Sequence, residues 1–475
     1  KPPYIQPSAP LRPNSSPLAP MPASSANFAG IGFSDTVNGG QAGGGWPPDT
    51  NGDVGPTYYI QSVNTAIAVF NKTTGARVVG FTIDQLWSVS GTTTPCLNLN
   101  DGDPIVMHDA RSDRWILTDF AFGFTTGGNP KKPFYQCIAV SKTSDPVSGG
   151  WYFYAIQVDT GGTGKPPSNT LNDYPKFGLW NDGCLYMGAN GFNMSTSSYA
   201  GAIFASFSTT DMYAGSALTS SIGWLPYGTS STKEFALFPA DLLGSSAAAL
   251  PPAGTPAYFV AESSTGFKFN VRKFTPGPNC GAGGTMSART AVSQASYPSN
   301  STTSDFVPQK GTSNVLDSLE DRLMQRVQYR KVGSAESLWV VHTVGDGSTT
   351  PAQSQWAQIN VTGGTISTTP VQQQIFAPDT TKSRWMASLA VDQQGNMAMG
   401  YSLSSASDYP GIFYAGRLVS DVLNDLPQSE TALVAGGASQ NNCGSSPCSR
   451  WGDYSSMTMD PVDDCTFWYT TEYYD

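Results

Sequence analysis

Charged residues are scarce in this chain, 13% against a usual share of roughly 25%, yet they recur at one kind of place. Asp49 and Asp53, Asp101 and Asp103, Asp173, Asp241, Asp321 with Arg322, Arg384, and Arg450 with Asp453 each stand just ahead of an apolar stretch. Gathered at one mouth of a central channel, Asp49, Asp103, Asp173, Asp321, Arg384, Arg450 and Asp453 would form a pocket of carboxylates and guanidinium groups. Two carboxylates at the right separation are enough for glycoside hydrolysis, and guanidinium forks hold oxygen-rich ligands. The opposing reading is structural: a ring of Arg–Asp pairs stapling neighbouring units, a role that repetition in every unit suits well.

Pro48-Asp49-Thr50-Asn51-Gly52-Asp53-Val54-Gly55 has oxygen ligands at alternate positions around a glycine, the pattern of a calcium-binding turn. Asp49, Asn51 and Asp53 are therefore the expected calcium ligands, completed by other loops because the bidentate Glu of an EF-hand is missing. The same cluster is also ordinary turn chemistry. His108 and His342 are the two histidines, both inside strand patterns, which disfavours Ser-His-Asp, Cys-His and His-rich metal chemistry. No P-loop or dinucleotide fingerprint is present.

The elements that must position these residues are short strands. Arg384-Trp385-Met386-Ala387-Ser388-Leu389-Ala390-Val391 turns at Asp392-Gln393-Gln394-Gly395-Asn396 and returns through Met397-Ala398-Met399-Gly400-Tyr401. Arg450-Trp451-Gly452-Asp453-Tyr454-Ser455-Ser456-Met457-Thr458-Met459 does the same around Asp460-Pro461-Val462-Asp463-Asp464. Period-two alternation and Asp-led turns are hairpin chemistry. Looser copies begin near Tyr58, Pro104, Lys176, Ala257 and Leu323. Such units spread over about 420 residues predict an all-β, seven-bladed β-propeller. One segment competes: Val315, Leu316, Leu319, Leu323 and Val327 follow helical spacing, so 314–331 is expected to open as a short helix.

Residues 1–27 read as a Pro-rich extended arm, and 28–475 as the propeller. The last unit has two strands where a blade needs four, so 28–37 is the expected donor that closes it. Cys443–Cys448 and Cys96–Cys137 are the expected disulfides among seven cysteines, with one left unpaired, which suits an oxidising, extracellular setting. The net charge of −10 argues against nucleic acid, and no apolar run has the ~20 residues of a membrane helix. No signal peptide precedes Lys1, so the chain reads as already processed.

Several passages resemble a widespread group of secreted bacterial proteins with sialidase-like or BNR-type β-propeller folds. They are Pro47-Pro48-Asp49-Thr50-Asn51-Gly52, Gly102-Asp103-Pro104 with Asp113-Arg114-Trp115, Asp173-Tyr174-Pro175-Lys176, Leu316-Asp317-Ser318-Leu319 with Asp321-Arg322-Leu323-Met324, Arg384-Trp385-Met386 and Arg450-Trp451-Gly452-Asp453-Tyr454-Ser455. The resemblance spans roughly 45–474 and implies fold and secretion, with no activity to carry over. The sialidase motif Ser-x-Asp-x-Gly-x-Thr-Trp is absent.

Taken together, the sequence leads to a secreted matrix protein that assembles with copies of itself, into filaments, by docking the arm on a neighbouring propeller. The alternative is a secreted glycan-active propeller, hydrolase or lectin-like, meeting extracellular polysaccharide at the channel mouth.

Overall fold

The computed structural model describes residues 19–37, 40–41, 45–227, 234–263, 266–299, 303–320, 322–443 and 448–475. Residues 1–18 of the expected arm, Asp321, and the turn between Cys443 and Cys448 lie outside them. The regular structure is overwhelmingly β, with two short α-helices at Ile83–Trp87 and Thr209–Ala214. No helix among the described residues is long and apolar enough to cross a membrane.

Strands pair antiparallel in chain order, so each sheet is a meander. The first strands are β1 (Asn51–Val54), β2 (Asn100–Asp109), β3 (Thr170–Leu179), β4 (Glu234–Leu242), β5 (Val327–Val332), β6 (Ser383–Val391) and β7 (Ser456–Met459). β4 and β5 also lie side by side in parallel, Ala240 opposite Val327, which fuses two meanders into one nine-stranded sheet. Each first strand packs on the next, and β7 returns to β1: Ser456 Oγ donates to Gly52 O at 2.9 Å and Thr458 Oγ1 to the Asp53 carboxylate at 2.5 Å. The sheets therefore stand around a common axis as a propeller.

Side chains stitch this inner ring where neighbouring first strands are too far apart for a ladder. Asn51 Oδ1 accepts from Val106 N, Asp53 from His108 N, Asp241 from Leu179 N, Gln328 Oε1 from Val391 N, and Ser388 Oγ from Met457 N. Buried amides are thus satisfied across sheets rather than within them. Glycine sets the closest approach: a Cβ at Gly178 or Gly188 would run into the carbonyls of Ala240 or Leu237. Between sheets the core is large and aromatic, with Trp87, Trp115, Trp356, Trp385 and Trp451 fully buried.

Both expected disulfides are made, Cys96–Cys137 and Cys443–Cys448, and a third, Cys184–Cys280, was not foreseen. Cys465 is the free cysteine. The expected helix within 314–331 does not form. Leu316–Asp317 pairs with Asp305–Val307, Leu323 bridges to His342, and Val327 opens β5. Each apolar side chain is buried against a different neighbour, which a single helical face cannot do.

The described part of the arm docks on its own chain. Ala19–Pro20 pairs in parallel with Gln428–Ser429, Tyr414 OH donates to Pro22 O at 2.6 Å, and Asn27 Nδ2 to Leu433 O at 3.0 Å. Phe28 then wedges among Tyr59, Phe70 and Trp468, joining the first and last sheets through side chains. Segment 28–37 does not add a strand to the last sheet, where β7 pairs with Phe467–Thr470. It is drawn to the first sheet instead: Ile31 N donates to Gln61 Oε1, Val37 covers Gly80, and Thr36–Val37 pairs with Gly40–Gln41.

Candidate active site

The inner strands enter the ring through a repeated irregularity. The ladder slips between Gly102 and Ile105, Asp173 and Lys176, Phe235 and Phe238, and Trp385 and Ser388. Inside each slip sits a residue of positive φ: Asp103, Tyr174, Ala236 and Met386, at 51°, 57°, 51° and 55°. Asp49 (φ 51°) and Asp453 (φ 59°) hold the same conformation ahead of β1 and β7. A bulge re-aims a side chain, and left-handed backbone in a non-glycine residue costs about 1–3 kcal/mol, so it persists where the surroundings impose it. Here it turns aspartates toward the channel mouth.

A cavity of ≈ 340 Å³ results, walled by Asp49, Asp103, Asp173, Asp317, Asp453, Arg322 and Arg450, with Pro47, Asn64, Tyr174 and Leu319 between them. Ring closure happens at its edge, where Asp49 N donates to Gly452 O at 3.0 Å and Gly452 N donates to the Glu472 carboxylate at 2.7 Å. Asn64 positions Asp103 by accepting from its backbone N–H, while the Asp103 carboxylate accepts from Tyr174 N at 2.9 Å. Arg450 holds both oxygens of Asp453.

The carboxyls are held away from their ordinary titration range. Burial, then Asp103 and Asp453 alongside, pushes Asp49 well up, and it lies in hydrogen-bonding reach of Asp103. Burial, with Asp103 adding to it and Arg322 opposing, pushes Asp173 up to about 7. Burial raises Asp453 against the pull of Arg450, and raises Glu472 to about 8. Lys176 lies beneath, 2% exposed, its Nζ 3.3 Å from the Tyr454 ring centre and 3.7 Å from that of Tyr174. Burial lowers it to about 7 although four aspartates oppose this. Crowded carboxylates cannot all ionise, so the pocket offers neutral acids beside carboxylates near pH 7.

Of the expected site residues, Asp49, Asp103, Asp173, Arg450 and Asp453 converge here. Asp321 lies outside the described residues. Arg384 does not line the pocket: it is buried between Glu430 and Asp379, each at 2.6 Å, because its sheet needs those charges paired. Asp241 is likewise a staple, paired with Arg326. The expected calcium ligands part company, Asp49 facing the cavity while Asn51 and Asp53 spend their oxygens on backbone of β2. Among the described residues no three His, Cys, Asp or Glu are grouped to hold a metal. His108 and His342 are buried strand residues, bonded to Asp113 and Gln294. Asp317, Asn64, Lys176 and Glu472 were not assigned to the pocket, although Asp317 and Lys176 stand in the motifs quoted above. A lysine among the buried residues of β3 was the one readable sign among them, since lysine is almost never fully buried unless paired.

No family model matches the chain, and no curated protein does. Solved structures match in part. An exo-1,5-alpha-L-arabinanase from a bovine ruminal metagenomic library is 10% identical at TM-score 0.31, over 78% of this chain and 92% of that one. A Penicillium chrysogenum alpha-L-arabinanase complexed with arabinobiose is 12% identical at 0.36, over 79% and 95%. Drosophila Semaphorin 1b, extracellular domains 1-2, is 7% identical at 0.35, over 89% and 83%.

The expectation of a self-assembling matrix protein is corrected on two grounds. The described part of the arm is engaged in cis, and the mouth carries a pocket in which carboxylates outnumber guanidinium groups rather than a closed ring of one-to-one staples.

Proposed function

We propose that this chain is a secreted glycoside hydrolase acting on extracellular polysaccharide at the channel mouth. The observation that carries the reading is the pocket in which Asp49, Asp103 and Asp173 meet, with the proton affinities of Asp49 and Asp173 pushed up by burial and by the Asp103 carboxyl beside them. Asp49, kept neutral, is the general acid that gives its proton to the glycosidic oxygen as the C–O bond breaks. Asp173, ionised above about 7, takes a proton from the attacking water as the new C–O bond forms. Asp103 stays hydrogen-bonded to Tyr174 N and keeps Asp49 protonated. Arg322 and Arg450 orient hydroxyls of the sugar.

Two structural readings belong to the same proposal. The propeller has seven blades, with the nine-stranded sheet counted as two and the hairpin of β7 as the last; succession of first strands from β1 to β7 and back supports this. Secretion is supported by three disulfides and by the resemblance to the sialidase-like bacterial group.

Reducing-sugar release from a panel of neutral and acidic polysaccharides tests the reading, with wild type compared to Asp49→Asn, Asp103→Asn and Asp173→Asn. Release by wild type and its loss in folded variants supports it. Release undiminished in all three would remove the chemistry from this pocket, and no release from any glycan would sink the proposal.

A further inference from the structure

The mouth pocket has almost no apolar wall. Its lining is mostly carboxylates, guanidinium groups and an amide, with only Pro47 and Leu319 as aliphatic members, and the Tyr174 ring is already covered by Lys176 Nζ at 3.7 Å and by Arg322 at 5.1 Å. Sugar rings carry an apolar C–H face, and aromatic side chains are the groups that hold such faces. A glycan entering this pocket meets hydrogen bonds and charge inside it, so any stacking has to come from the rim.

The rim has a built aromatic pair. Phe33 is 44% exposed, unusual for so large an apolar ring, and its centroid lies 4.3 Å from that of Trp46 at an interplanar angle of 32°. Trp46 immediately precedes Pro47, which lines the pocket, and leads three residues later to Asp49. Its indole N–H donates to Tyr474 OH at 3.1 Å, and that hydroxyl donates to Gln440 Oε1 at 3.0 Å, which fixes the ring. Phe33 arrives on the segment that follows the arm, tied down by Ile31 N to Gln61 and by Gly32 N to Asp35. The N-terminal segment thus carries an aromatic face to the edge of the site.

We propose that Phe33 and Trp46 form a stacking subsite for the sugar ring next to the one in the pocket, so that the ligand is an oligosaccharide or longer chain rather than a monosaccharide. This rests on the glycan-active reading above. Ordered aromatic faces lose little conformational entropy on binding, and removal of either ring is expected to weaken glycan binding by up to roughly tenfold.

Affinity electrophoresis in gels containing soluble linear arabinan, xylan, mixed-linkage β-glucan or polygalacturonate tests this, alongside reducing-sugar release from the same four. Wild type is expected to be retarded by at least one of them, Phe33→Ala and Trp46→Ala to lose roughly tenfold of that retardation, and Phe33→Trp to keep it. Matching thermal melts show that the variants are folded, and Phe33→Trp guards against a purely structural effect. Equal retardation of wild type, Phe33→Ala and Trp46→Ala overturns the subsite while leaving the glycan-active reading in place. Wild type that is neither retarded by nor active on any of the four overturns both.

Discussion

Two groups of buried charge in this ring use the same residue types to opposite ends. Around Arg326 every carboxylate has its cation: Asp241 at 2.5 Å, Asp53 at 3.6 Å, and nearby Arg330 holds both oxygens of Asp464 at 2.9 and 3.0 Å. At the mouth, aspartates outnumber arginines among the lining residues, Asp49 Oδ1 has no hydrogen-bond partner, and several carboxyls sit well above their ordinary range. Paired charge of the first kind holds sheets together. Crowded, half-neutral charge of the second kind is what acid–base chemistry requires. The difference lies in depth: the strand cores are stapled, whereas the bulges at the strand entrances aim their aspartates at one another.

The largest effect should come from breaking the staple. Arg326→Met leaves Asp241 and Asp53 buried without their cation, at a cost of about 3–5 kcal/mol in chemical denaturation. Little change there would mean that the inner ring is held by packing alone. At the mouth the same kind of change should cut activity rather than stability. Asp49→Asn is expected to lower hydrolysis by about 10²–10⁴-fold with a melting temperature equal to or above that of wild type, because the amide replaces a buried acid that would otherwise ionise at cost.

Titration separates the two regions further. Asp173 has a folded pKa raised to about 7 by burial, so the stability it contributes is complete below its unfolded value of about 3.9 and is lost as pH rises through 7. The melting temperature of Asp173→Asn relative to wild type should therefore climb between pH 4 and pH 8, and a flat difference would deny the shift. In wild type, activity should rise as pH passes about 7 and Asp173 ionises. The smallest effect belongs to a surface pair. Arg77 and Asp35, 3.3 Å apart with side chains 38% and 39% exposed, link the post-arm segment to the first sheet, and Arg77→Ala should cost less than about 1 kcal/mol.

Much of the scaffold was readable because its signals are local. Alternation in Ser383–Val391 and Ser456–Met459, with Asp-led turns behind them, shows strands without reference to anything distant. Cys96, in the 3-10 turn Pro95–Leu97, pairs with Cys137 within one unit, whereas Cys184–Cys280 joins residues 96 apart and left no local trace. The helix expected around Leu319 failed for the same reason: its spacing was a local pattern overruled by separate tertiary partners. Within the site, Asp103, Asp173, Arg450 and Asp453 were visible as recurrent charges before strands. Arg384 looked identical in sequence yet turned away to Glu430 and Asp379, Asp317 stood in a motif that carried no role, and Asn64 had no pattern to mark it.

By itself the sequence determined that this is a low-charge, all-β chain of repeated hairpins, with charged residues at the head of nearly every repeat, because strand period and turn chemistry are short-range properties. Only the tertiary structure decided which of those residues pair and which crowd. Ring closure from β7 to β1, the bulges at 103 and 174 and the left-handed residues at 49 and 453 bring together side chains hundreds of residues apart. Whether a buried aspartate becomes a staple or an acid depends on which neighbour reaches it first.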